Sequence, residues 1–471
     1  MLNASVQSVL RTRRDFLTSA ASGLGLPALV SLLQAEGVAA QDRVPEFAPR
    51  AKSCIFLFLA GGTSHMDLFD PKPELNRRSG QPLPESFTQG KRFSFLKLDQ
   101  SSVMGTPFGF RRYGRCGMEL SELLPGIGSC ADDIALVRSM HTDAFDHAPA
   151  ELELSTGVDS PGRPSAGAWL TYGLGSASQN LPGYVALLVR RGPTARALAW
   201  GSGFLPTRHA GVVFRSEGEA VVNLETPDGL PADLHRSQLD AVGALNRLRS
   251  QRIRDPEIES RISAYELAFR MQTAAPELID LKQETAQTRL AYGVDRPDEG
   301  GAFSRSCLLA RRMVERGVRF VSIFHRNWDH HQELQQSLKD RCADVDQPIA
   351  ALLRDLKQRG LLDSTLVVWG TEFGRTPLTE NARPGPKAGR DHHPFGFSMW
   401  LAGGGVKGGQ TLGATDDFGW AAVQDKVHIH DFNATLLHLF GLDHRHLTYR
   451  FEGRDYRLTD VHGNVVQQLL K

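Results

Sequence analysis

Four short polar clusters in this chain combine residue types that can do chemistry. The first follows Gly61-Gly62 and brings His65, Asp67 and Asp70 within a few positions. The second is His325-Arg326-Asn327-Trp328-Asp329-His330-His331, the third Thr371-Glu372-Phe373-Gly374-Arg375, and the fourth Arg390-Asp391-His392-His393-Pro394. Neighbouring imidazoles and carboxylates form a donor set for a divalent cation, and mixed nitrogen and oxygen ligands suit zinc, manganese or iron better than calcium or magnesium. Such an ion polarises a bound ester oxygen and lowers the pKa of a water, producing a nucleophile near neutral pH. On this chemistry Asp329, His331, Asp391 and His392 are the first ligand candidates. Glu372, Asp67 and His65 come next, and zinc or manganese is the expected ion. His330 and His393 are candidates for orienting the ligands. Arg375 suits holding an oxyanion or, more simply, pairing with Glu372. His65 and Asp67 serve equally well as caps of the turn after the glycines, and Asp70, before Pro71, reads as a turn residue.

These clusters need elements to carry them. Three directly follow apolar, strand-like runs at 55–59, 318–324 and 366–369, while the fourth precedes one at 397–401. Weaker strand candidates lie at 135–137 and 184–189. Residues 308–313 and 334–356 show amphipathic helical spacing, so the chain alternates strand and helix as an α/β sheet covered on both faces does. The order helix, glycine turn, apolar strand implies parallel crossovers. In parallel sheets functional groups gather beyond the carboxyl ends of strands, so clusters distant in sequence can share one site. Residues 231–292 break the alternation. Ile258, Ile262, Tyr265 and Phe269 fall at helical spacing behind Pro256, which predicts a helical insertion in which Phe269 and Met271 are packing residues.

The balance of 54 basic and 53 acidic residues, net +1 over 471 residues, gives no whole-molecule field for nucleic acid or an anionic membrane. Five cysteines, Cys54, Cys116, Cys130, Cys307 and Cys342, contain no CxxC pair. Cys342 continues the apolar row of Leu334 and Leu338 and reads as core. Cys116 and Cys130 can pair in an oxidising compartment or stay free. The first forty residues read as an export segment. Thr12-Arg13-Arg14-Asp15-Phe16-Leu17 is followed by a mildly apolar stretch and Val38-Ala39-Ala40, which predicts a twin-arginine signal, periplasmic or extracellular location, and no membrane span once it is removed.

Taken together, several stretches resemble the sulfatase and alkaline phosphatase superfamily. "GLLDSTLVVWGTEFGRTP" is similar to the segment whose strand ends in Ser-Asp-His-Gly, and "FGFSMWLAGGGVKGG" to the strand after a late metal-binding histidine. "HIHDFNATLLHLFGLDH" resembles the C-terminal helix, and "HAPAELELSTG" the helix that begins with the nucleophile. With "AGGTSHMDLFDPKP", "WDHH" and the twin-arginine signal, the pattern resembles one exported branch, the domain-of-unknown-function 1501 family. The resemblance implies an α/β three-layer sandwich over 51–471 with a mostly parallel central sheet and the helical insertion. It also implies metal-dependent hydrolysis of a sulfate or phosphate ester carried by a small molecule or glycan. It places His147 at the nucleophile position, as phospho-acceptor, ligand or acid/base group. Where the superfamily has an aspartate after the first strand this chain has Gly61-Gly62, and its later Asp-His pair is replaced by Glu372-Phe373. What carries over is half of a two-metal site: Asp329 with His330 or His331, and His392. The departures keep open a second reading, a non-catalytic exported binding protein built on the same fold.

Overall fold

The computed structural model of the chain describes residues 45–88, 96–215, 221–222, 224, 231–253, 255–380 and 382–471. The export signal expected at 1–40 lies outside them. The main sheet has nine strands: β1 (Ser53–Leu59), β2 (Ile134–His141), β3 (Tyr184–Leu188), β4 (Val212–Phe214), β5 (Phe320–His325), β6 (Thr365–Gly370), β7 (Phe397–Ala402), β8 (Gln410–Leu412) and β9 (Val427–His428). Their order is β8-β2-β7-β6-β1-β5-β3-β4, with β9 also on β2. Neighbours are parallel except where β7 meets β2 and β6. The sheet is therefore mostly parallel, with one reversed strand inside it.

β1 is buried along its whole length, as a central strand covered on both faces must be. Ile55, Leu57 and Leu59 enter one apolar core, and Cys54, Phe56 and Phe58 enter the other. The first core is closed by the helices Glu299–Glu315 and Leu334–Gln358, the second by His147–Thr156, Ala166–Leu174 and Ile429–Leu439. In chain order these helices, together with the pair Ala232–Ile253 and Pro256–Ile279, are α1 (His147–Thr156), α2 (Ala166–Leu174), α3 (Ala232–Ile253), α4 (Pro256–Ile279), α5 (Glu299–Glu315), α6 (Leu334–Gln358) and α7 (Ile429–Leu439). Helix on sheet on helix gives the three layers. Leu334, Leu338 and Cys342 lie buried along α6, as their spacing predicts.

The helices α3 and α4 occupy the interval that breaks the strand–helix alternation. α4 enters the first core through Met271, Ala275 and Leu278. The row read from the sequence is mixed: Ile258 is buried and Ile262 half-buried. Tyr265 is 47 % exposed, and Phe269 packs under the Arg236 guanidinium of α3, 5.2 Å from its ring centre, where Arg236 also pairs with Glu266 at 3.0 Å. The spacing is right for the helix, and both expected packing residues pack, Met271 in the core and Phe269 against α3. All five cysteines are free; Cys116 is exposed and Cys130 buried.

Candidate metal centre

The parallel strands bring their carboxyl ends to one edge, and that edge collects the chemistry. β1 leads to Gly61, β2 to His147 at the start of α1, β5 to Asp329 and His331, and β6 to Glu372 and Arg375. β7 runs the other way, so it is its beginning that meets this edge. This is why His392 precedes its strand while the other clusters follow theirs. A two-residue antiparallel ribbon, Gly374–Arg375 against His392–His393, ties the third cluster to the fourth. Gly61 is needed where it stands: at φ +129°, a Cβ there would lie 2.4 Å from the Asp329 backbone nitrogen. Trp328 anchors the β5 loop. It is fully buried, stacks edge-on against Trp369 at 5.6 Å, and donates its indole N–H to His325 Nδ1 at 3.0 Å.

One nitrogen or oxygen from each of His147, Asp329, His331 and His392 falls within a set whose members all lie within 4.8 Å of one another, a group able to hold a metal ion. Each imidazole is tied down at the same nitrogen. His147 Nδ1 donates to Glu372 Oε1 at 2.8 Å, His392 Nδ1 to the Phe145 carbonyl at 3.0 Å, and His331 Nδ1 to Glu380 Oε2. The three Nε2 atoms therefore turn toward Asp329. His331 Nε2 lies 2.8 Å and His392 Nε2 3.2 Å from Oδ1, and the two nitrogens are 3.0 Å apart. His147 Nε2 sits 3.2 Å from Asp329 Oδ2 but out of line, so it is a buried nitrogen without a hydrogen-bond partner. Arg375 fixes the carboxylate from behind. Its Nη2 donates to Asp329 Oδ1 at 2.5 Å and to the Gly61 carbonyl, and its Nε donates to the Gly62 carbonyl at 2.8 Å.

The charges follow from this packing. Burial works against ionisation of Asp329, but the three imidazoles and the Arg375 guanidinium outweigh it and hold its carboxyl far below the usual range. Burial likewise opposes protonation of His147, yet Asp329 and Glu372 push it up to about 9. For His392 burial prevails and its pKa falls, with the Arg375 and His147 charges adding to it. Phe373 packs on both rings, 5.1 Å from His147 and 4.7 Å from His392, and keeps that side of the centre dry. The other side opens into a cavity of about 450 Å³ lined by Gly61, Glu151, Thr194, Arg326, Asn327 and Ser337 among others. Glu151 accepts the backbone N–H groups of Thr194 at 3.0 Å and Ala195 at 2.6 Å; burial, reinforced by the Glu372 charge, pushes it up to about 7.

The structure thus brings His147, Asp329, His331 and His392 together, with Glu372 behind His147. Asp391 lies beside His331 and Glu380, its two oxygens accepting the His392 and Leu96 backbone N–H groups at 2.8 and 2.9 Å. Asp67 and His65 are placed apart from the centre. Asp67 forms a fully buried ion pair with Arg390, Nε to Oδ2 at 2.9 Å, and accepts Ser64 Oγ. His65 Nε2 donates to the Gly419 carbonyl at 2.8 Å. Asp70 pairs with Lys72 at 3.1 Å and accepts Thr415 Oγ1. Arg375 pairs with Asp329, whereas the simpler expectation was Glu372, because Glu372 is already held by His147 and the Gly61 N–H. His330 donates to the Asn327 carbonyl at 2.9 Å and His393 to that of Trp420, so the groups that orient the imidazoles are Glu372, Glu380 and the Phe145 carbonyl. Glu380 and Phe145 left no mark in the sequence, since neither lies in a motif. Glu151 did: it stands four residues after His147, on the same helix face.

A mixed α/β protein with a mostly parallel sheet and a histidine–carboxylate group at its carboxyl edge is the class these features define. Residues 51–470 match the family described as "Protein of unknown function (DUF1501)", and the chain belongs to that family. No curated protein matches it. Among solved structures the chain is similar to PsFucS1 sulfatase from Pseudoalteromonas sp., with 12 % identity, 88 % of this chain and 71 % of that one covered, and a TM-score of 0.35. It is similar to Ps i-CgsB in complex with a neocarrahexaose, at 13 % identity, 84 % and 72 % coverage and a TM-score of 0.35. It is also similar to a TAB5 alkaline phosphatase mutant with Mg bound, at 11 % identity, 77 % and 92 % coverage and a TM-score of 0.29.

Proposed function

We propose that this chain is an exported, metal-dependent hydrolase of phosphate or sulfate esters, with one divalent cation held by His147, Asp329, His331 and His392. The observation that carries the reading is the direction of the three imidazoles. Each gives its Nδ1 proton to an oxygen, so all three rings turn Nε2 toward one carboxylate, where a cation that displaces the Nε2 protons would find three imidazole nitrogens and a carboxylate oxygen together. Tying down Nδ1 in this way is how metal-ligating histidines are commonly oriented. His331 Nε2 and His392 Nε2 lie 3.0 Å apart, close enough to share a proton and close enough for one cation to bind both in its place. Three nitrogens and one carboxylate oxygen fit zinc or manganese.

When bound, such an ion supplies Lewis acidity toward an ester oxygen and toward water. The chain's own residues do the positioning. Glu372, Glu380 and the Phe145 carbonyl hold the rings, Arg375 holds Asp329, and Phe373 excludes water from one side. The start of α1 carries His147, engaged at Nδ1 by Glu372 and facing Asp329 with Nε2, where a covalent mechanism would need a hydroxyl or thiol. Thr142 is occupied by Glu153 at 2.7 Å. Direct displacement by water suits this arrangement. The arginine pair Arg13-Arg14 supports export, and the hydrophilic cavity supports a small-molecule or glycan ester as substrate. Among the described residues no helix is long and apolar enough to cross a membrane.

Elemental analysis of protein purified without chelator tests the reading, followed by a panel of aryl phosphates and aryl sulfates. One zinc or manganese per chain, with turnover abolished in His392→Ala, is the expected result. Metal-free protein, inert toward both ester classes after zinc and manganese are added back, overturns it.

A further inference from the structure

The cavity beside Asp329 contains one charge that the protein does not answer. Among the described residues, every other charged side chain of its wall has a partner. Asp329 is held by Arg375, Glu151 by two backbone N–H groups, and Asp340 by Gln336 at 2.9 Å. Arg341 pairs with Asp344 at 3.0 Å and Glu299 at 3.1 Å. Arg326 is half-buried in the same wall and makes neither an ion pair nor a side-chain hydrogen bond. Its guanidinium nitrogens stay accessible from the cavity, so the charge is available to a ligand instead of being spent on the protein.

The backbone shows how the residue is aimed. Arg326 is the first residue after β5 and Asp329 stands three further on. Asn327 between them takes a left-handed conformation, φ 72°, which asparagine tolerates better than most non-glycine residues. That turn lets Trp328 plunge into the core while Arg326 and Asp329 both reach the cavity. The same loop therefore positions a carboxylate of the candidate centre and, next to it, a cation with no partner among the described residues.

We propose that Arg326 is the anion-recognition residue of this cavity, its planar fork binding the non-bridging oxygens of a phosphate or sulfate group presented to the Asp329 centre. Arginine matches a tetrahedral oxyanion with two parallel N–H donors, which a point charge does not. The volume of about 450 Å³ accommodates the anion together with part of the alcohol it esterifies. Asn327, Thr194, Ser337 and Asp340 make the remaining wall polar, which suits a hydroxylated alcohol such as a sugar. The assignment names a specificity residue for the hydrolase proposed above and rests on that reading for the reaction, though not for anion binding itself.

The test titrates inorganic phosphate, and separately inorganic sulfate, into the full-length protein by calorimetry, with metal content measured on each sample. Wild type, Arg326→Gln and Arg326→Lys are compared. The expected result is saturable binding of one or both anions by wild type, weakened at least about tenfold in Arg326→Gln, with Arg326→Lys between them. Unchanged metal content and an unchanged thermal transition exclude misfolding. The two anions report which ester class the cavity takes. If Arg326→Gln binds the preferred anion as tightly as wild type, or wild type binds neither, the proposal is overturned even where metal is found. If anion binding depends on Arg326 in a protein that takes up no metal, this proposal stands and the hydrolase reading falls.

Discussion

Helix α1 serves two histidine–carboxylate clusters that look alike as lists of residues and differ in which ring nitrogen the fold ties down. Its first residue, His147, belongs to the Asp329 group. Glu153, near its end, belongs to a second group with His428 and Asp143. In the first, all three Nδ1 atoms donate, so Nε2 is the nitrogen turned to Asp329 and open to a cation that displaces its proton. In the second, His428 caps α7: its Nδ1 accepts the His430 backbone N–H at 3.2 Å, while Asp431 accepts the N–H of His428 at 3.0 Å. A neutral ring that accepts at Nδ1 carries its proton on Nε2, which here faces Asp143 Oδ2 at 3.5 Å and Glu153 Oε1 at 3.6 Å. Glu153 is itself engaged, accepting Thr142 Oγ1 and the Ala144 N–H at 2.7 and 3.1 Å. The second cluster is a helix cap, and proximity of donors alone would have called both sites metal centres.

The sharpest way to break this contrast is to remove one member from each. Asp329→Asn and His331→Ala are expected to weaken zinc binding by more than about 100-fold, beyond the range seen when only an orienting group is lost. His428→Asn is expected to leave it unchanged. Isothermal titration of zinc into chelator-treated protein measures all three. Equal losses at both clusters would erase the distinction drawn from the tautomers.

A smaller effect tests the orienting groups. Glu380→Gln and Glu372→Gln keep the size of the side chain but weaken its acceptance from Nδ1, and each is expected to cost roughly 10- to 100-fold in zinc affinity. Glu380→Ala should cost at least as much. A pair of variants that bind zinc like wild type would show that the rings are held by packing, His147 against Phe373 and His331 against His392, and not by their carboxylates.

Much of this was legible in the sequence, for a reason the two clusters make plain. Strand-end placement is written in apolar runs, so the fold class and the convergence of Asp329, His331, Glu372 and His392 follow from runs at 55–59, 318–324 and 366–369 with polar residues just beyond. Which nitrogen of a histidine is occupied is written nowhere locally. His331 depends on Glu380, 49 positions away, and His392 on a backbone carbonyl 247 positions away. His65 and Asp67 show the converse failure. They sit at a strand end of the right kind, but Arg390, from the fourth cluster, claims the Asp67 carboxylate in a buried pair. Breaking such a pair from one side costs about 3–5 kcal/mol, so Asp67 is tied to the fold and not available to a ligand. The α4 stripe shows a related limit: periodicity identifies the helix and its packing residues Met271 and Phe269 without saying whether sheet or helix will cover each.

The smallest expected effect concerns stability, and it isolates the second cluster. Burial first, then the neighbouring His430 and His141 rings, press the His428 pKa down to about 4, against partial opposition from Asp143 and Asp431. The unfolded chain, with an ordinary histidine near 6.5, takes up that proton first as the solution is acidified. Stability from this group is therefore complete above about pH 6.5 and is lost as pH falls toward 4. His428→Asn keeps a side-chain acceptor for the His430 N–H but cannot titrate, so its unfolding free energy should fall less steeply than that of wild type across this interval. His428→Ala loses the cap as well, and its stability at pH 7.5 should drop by about 1 kcal/mol. Urea unfolding at a series of pH values separates the two contributions. Should His428→Asn retain the full acid dependence, the ring is not titrating where its neighbours place it, and the proton assigned to Nε2 must be reconsidered.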